Sequence, residues 1–89
     1  MAIVSYTDGE ARELISGESK LVYWESPSTM DANDTVVVPT ITGKSVRMVT
    51  AWDHTTGDAV TATISTSTIT VDAAGGNTDN SYGLLFNYI

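Results

Sequence analysis

Eighty-nine residues, a net charge of −7 and no cysteine describe one small acidic domain that disulfides cannot staple. A chain this short buries only about 60% of its unfolded surface, so a neighbouring subunit or a larger partner is the expected extra support. Its bases, Arg12, Lys20, Lys44 and Arg47, are scattered, which excludes the clustered phosphate contacts that nucleic acids and anionic membranes require.

His54 is the sole histidine, so a zinc-type ligand set is not expected, and neither is a cofactor. No apolar run reaches the roughly 20 residues of a membrane helix. The opening Met-Ala-Ile-Val-Ser-Tyr lacks the basic and apolar regions of a signal peptide. The expectation is a protein made in the cytoplasm.

In chain order, Ile3–Tyr6 reads as a strand. Asp8–Ile15 fits a single helical turn capped by Asp8 and stopped by Gly17, and fits a loop or short strand as well. Residues 1–19 are therefore read as an arm or less regular segment of a single domain spanning 1–89. Lys20–Glu25 and Thr35–Val38 read as strands, the second ended by Pro39. Tyr82–Ile89 is a strong terminal strand. The segments Ser26–Asn33 and Ala73–Asn80 hold turn-forming residues.

The run from Lys44 to Asp72 is rich in threonine and alternates with period 2, the pattern of strands with one buried face. A loop of Thr55-Thr56-Gly57, with Gly57 left-handed, pairs Trp52 with Val60, Thr50 with Ala62 and Met48 with Ile64. Every bulky apolar residue then shares one face except Val49. A four-residue loop would set Trp52 against Ala59 and mix the faces, so the first register is preferred. The second turn, at Ser65–Thr68, should be even in length, which sets Ile64 against Ile69 and Ala62 against Val71. Thr61, Thr63, Thr68 and Thr70 line the opposite, hydroxyl face.

About seven short strands with regular turn signals predict an all-β single domain, an antiparallel β-sandwich or small barrel. The stretches Leu21-Val22-Tyr23-Trp24, Val36-Val37-Val38 and Leu84-Leu85-Phe86 are apolar on both pleat faces. Either a partner covers the second face, or loops of a closed barrel do. Tyr23, Trp24, Leu85 and Phe86 are the candidate interface residues, assigned to the core or to subunit contacts.

Chemical candidates are few. Asp31, Asn33 and Asp34 could supply oxygens to calcium, but no glycine or bidentate glutamate completes an EF-hand loop. An Asx turn is the preferred reading. Asp72, Asn77, Asp79 and Asn80, beside Gly75-Gly76, pose the same question and receive the same answer. His54, flanked by Asp53 and Asp58, reads as a solvated turn residue. No G-x-S-x-G turn supports a serine nucleophile, and no catalytic residue is assigned. Trp52 falls on the core face in the preferred register, which disfavours it as a sugar-stacking residue.

Residues 20–89 run K-L-V-Y-W-E-S-P, T-M-D-A-N-D-T-V-V-V-P, A-W-D-H-T-T-G-D-A-V-T-A-T-I-S and T-I-T-V-D-A-A-G-G-N-T-D-N-S-Y into the terminal strand. This arrangement resembles the small, acidic, cysteine-free β-proteins among the virion structural genes of tailed bacteriophages. Some of these decorate or cement the capsid, and others belong to the tail or neck. The resemblance implies a non-enzymatic virion protein that binds a major capsid protein or another virion protein. It also implies a homo-oligomer, with a trimer favoured by analogy. The alternative is a carbohydrate-binding or adhesin-like β-sandwich module, which would expose an aromatic strip.

Overall fold

The structure, a computed structural model, describes residues 3–17, 19–31, 33–72 and 80–89. Its strands are β1 (Ile3–Val4), β2 (Glu10–Ile15), β3 (Lys20–Glu25), β4 (Thr35–Val37), β5 (Val46–Asp53), β6 (Ala59–Ser65), β7 (Thr68–Asp72) and β8 (Tyr82–Tyr88). They form one sheet in the order β1-β4-β7-β6-β5-β8-β3-β2. The fold is all-β, with eight strands rather than about seven. The sheet is mixed, because β1 runs parallel to β4.

The sheet curls so that its two ends close over a common core. Val36, Val38, Ile69 and Val71 come from one half, and Val22, Trp24, Leu84, Phe86 and Tyr88 from the other. Alternation produces this set: in β8 Tyr82, Leu84, Phe86 and Tyr88 are buried, while Leu85 and Asn87 face outward and are only half-buried. The same rule sends Val22 and Trp24 of β3 inward and leaves Tyr23 outside.

The first turn of the central meander departs from the expected register. Ala51 pairs with Val60 and Trp52 with Ala59, so the loop is the four-residue one that alternation disfavoured. Two causes act together. Met48 pairs with Phe86 and Thr50 with Leu85, which leaves Val49 as an inserted bulge residue. The bulge resets the phase of β5, so Val46 and Met48 lie on the core side before it and Ala51 and Asp53 after it. The second cause is Asp53, fully buried, whose Oδ1 accepts the backbone N–H of Thr55 at 2.9 Å and of Thr56 at 3.1 Å. That carboxylate shapes the turn. Gly57 is left-handed as expected, with φ of 82°.

Past Ala51 and Val60, β5 and β6 part. β5 continues along β8 and β6 along β7, so Met48 and Ile64 are not the ladder neighbours that the sequence suggested. The hairpin is thus the seam about which the sheet curls. The second turn matches expectation: Thr66-Ser67 is a two-residue loop, Ile64 faces Ile69 and Ala62 faces Val71. Thr61 and Thr63 are exposed, and Thr68 and Thr70 half-buried, on the hydroxyl face.

The N-terminal segment has a larger part than an arm. β1 lies at one edge of the strand order and β2 at the other, with a 3-10 turn at Tyr6–Asp8 between them. Glu10–Ile15 is strand, the alternative to a helical turn that its sequence left open. This strap is fastened in the middle: Tyr6 stacks on Trp24 with ring centroids 5.8 Å apart, and Trp24 Nε1 donates to the Tyr6 carbonyl at 2.9 Å. Gly9 lies against the same indole, where a Cβ would stand within 2.6 Å of the ring. The glycine is required by this close approach.

Candidate functional site

The outer face of the β3–β8–β5 half carries the most distinctive surface. Tyr23 of β3 and Trp52 of β5 project from it and stack, with centroids 5.4 Å apart and planes 3° from parallel. They reach each other across β8 because Gly83 has no side chain between them. Trp52 lies over that glycine. Leu21 and Leu85 flank the pair, and all four apolar side chains are half-buried. Trp52 is therefore an outward residue, and its expected place on the core face is corrected. The Val49 bulge is the reason.

The candidate interface residues divide accordingly. Trp24 and Phe86 are both at 0% exposure and belong to the core, so they offer no surface to a partner. Tyr23 and Leu85 lie on the outer face beside Trp52, Tyr23 next to Leu85 in the ladder. Trp52 could have been found from the sequence only by noticing that Val49 was the one misfit in an otherwise regular alternation.

Around the stack the chemistry turns polar. The Tyr23 hydroxyl donates to Glu25 Oε1 at 3.1 Å, and His54 Nε2 stands 3.3 Å from the same oxygen. Desolvation and the Glu25 carboxylate push the Tyr23 phenol above its ordinary pKa, so it stays a donor at neutral pH. His54 and Glu25 line a shallow hollow of about 370 Å³ together with Asp8, Glu10, Ser26 and Ser81. Both serines are committed to the fold. Ser81 Oγ donates to the Ser26 carbonyl at 2.9 Å, and Ser26 Oγ donates to the Pro27 carbonyl while accepting the Tyr82 N–H at 2.8 Å. The arrangement orders the end of the sheet.

Asp53 anchors that end. Besides the turn amides, its Oδ2 accepts Asn80 Nδ2 at 2.7 Å, and Asn80 bridges Met30 through a backbone bond of 3.0 Å. Burial alone would raise the Asp53 pKa. The hydrogen bonds from Asn80, Thr56 and Thr55 outweigh it and hold the carboxyl below its usual value.

The Asp31–Asp34 segment is a turn closed by its own aspartate: Asp34 Oδ2 accepts the Asp31 N–H at 2.9 Å, the Asp34 N–H donates to the Asp31 carbonyl at 3.1 Å, and Asn33 is left-handed with φ of 69°. Among the described residues no group of three or more acidic, histidine or cysteine side chains is placed to hold a metal ion. Most of the Asp72–Asn80 segment, including Asn77 and Asp79, lies outside the described residues. Comparison with protein families, curated proteins and solved structures finds no match.

Proposed function

We propose that this chain is a non-enzymatic structural protein of a phage virion, a capsid decoration or cement protein that grips the shell through its sheet and loop surfaces. The observation that carries the reading is the outer face of β3, β8 and β5. There a thin domain with a single core places Tyr23, Trp52, Leu21 and Leu85 on the side away from that core. Aromatic residues half-covered on an outer sheet face are typical anchors of protein contacts. Repetition on a shell lattice adds avidity, so each contact can be weak. Co-sedimentation of the purified protein with phage heads and with tails tests this. Binding to heads supports the decoration role, binding to tails moves the protein to the tail or neck, and binding to neither removes the virion reading.

A second reading, a carbohydrate-binding module, gains from the same face. The parallel, half-buried Tyr23–Trp52 pair would serve such a module as its aromatic surface, with Glu25 and His54 beside it as hydrogen-bonding groups. A glycan array without signal removes this reading.

A further inference from the structure

We propose that two copies of this chain join edge to edge through β2, about a two-fold axis that passes beside Ala11. The proposal deepens the assembly reading above and rests on it. β2 is bonded to β3 on one side and ends the strand order on the other. Every residue of β2 is exposed. The open side of such a strand is a template for another strand.

Charge selects both the partner and the register. A two-fold axis across an antiparallel edge sets each residue opposite one on the same face, so the axis must fall beside a residue. Beside Ala11, Arg12 of each copy faces Glu10 of the other, and the ion pair is made twice. The residue on the axis is then a small one. Beside Arg12 the two guanidinium groups would meet, and beside Glu13 the two carboxylates. Further along, the bulge between Glu13 and Ile15 breaks the ladder, which confines regular pairing to the first half of β2.

A separate observation points the same way. Within the sheet Glu10 is the cross-strand neighbour of Glu25, a like-charge pairing that disfavours the isolated chain. Arg12 neighbours Tyr23 and forms no ion pair among the described residues. The partner's Arg12 would lie on the open side of Glu10 and relieve the repulsion. The outer faces of both copies would then lie on one side of a continuous sheet, joining their Tyr23–Trp52 patches.

Native mass spectrometry and light scattering on the free protein test this without any capsid. The expected mass is twice the 9.5 kDa of one chain. Arg12→Glu and Glu10→Arg each oppose like charges and should weaken the dimer on the order of tenfold or more. The double swap, E10R with R12E, reverses the pair and should restore the dimer. Both positions are exposed, so unaltered circular dichroism is expected in all variants. A monomeric wild-type protein, a trimer, or a double swap that stays as weak as the single variants overturns the proposal. A monomer that still binds phage heads removes the dimer alone. A dimer that binds no virion part removes the virion reading alone.

Discussion

Trp52 lies flat over Gly83, and a Cβ on that glycine would stand within 2.6 Å of the indole Cζ2. On the other side of the sheet Trp24 covers Gly9 in the same manner. Each tryptophan occupies the space of a missing side chain. This accounts for glycine in the middle of the apolar β8, where it otherwise weakens a strand.

Gly83→Ala should lift the Trp52 ring from the sheet. Trp52 is half-buried and can move, so the expected loss is about 1–2 kcal/mol. Tryptophan emission should shift to the red. Combining the change with Trp52→Ala should cancel most of the extra loss, which a double-mutant cycle in urea measures.

Gly9→Ala should be the more damaging of the two. Its Cβ would meet the ring of Trp24, which has 0% exposure, and the Glu25 carbonyl oxygen as well. Neither can withdraw cheaply. A loss of about 2–3 kcal/mol is expected, read as a lower urea midpoint with an unchanged slope.

Asp53 should make stability depend on pH in the acid range. Its folded pKa is depressed, so its contribution is complete above the unfolded value near 3.9 and is lost as pH falls through the folded value. Asp53→Ala strands the Thr55, Thr56 and Asn80 donors and should cost about 2–3 kcal/mol at pH 7. Below pH ~4 the gap between wild type and variant should narrow. Urea unfolding of both proteins at pH 7 and at pH ~2.5 checks this. A gap that stays constant would exclude the ionised carboxylate as its source.

Val49 should tolerate both substitution and deletion. Its side chain is 53% exposed, so Val49→Thr should stay within about 0.5 kcal/mol of wild type. Deleting the residue removes the bulge and joins Met48 to Thr50 in unbroken alternation, so Val46, Met48, Ala51 and Asp53 keep their faces and their partners on β8. A retained cooperative melt, measured by circular dichroism, is the expected result.

The sequence disclosed most where alternation runs unbroken. β3, β7, β8 and the Thr66-Ser67 turn follow from period 2 and loop parity alone, but the division between Trp24 inside and Tyr23 outside does not, because β3 is apolar on both faces. It misled at β5, because alternation assumes a continuous strand and one bulged residue reverses every side chain beyond it. The Tyr23–Trp52 stack was hidden for that reason. The role of Ile3–Ile15 was hidden for another: Glu10–Ile15 is exposed throughout, so no apolar pattern marks it as strand. Only its partner β3 makes it one.

The position of β8 between β3 and β5 bears on how the chain is made. β8 leaves the ribosome after every other strand described here. Until it arrives β3 and β5 have no common neighbour, and the core lacks Tyr82, Leu84, Phe86 and Tyr88. Folding must therefore follow synthesis of β8, with the early strands waiting uncovered and the most distant segments meeting last. Such long-range closure is slow and leaves strand edges open to other chains meanwhile.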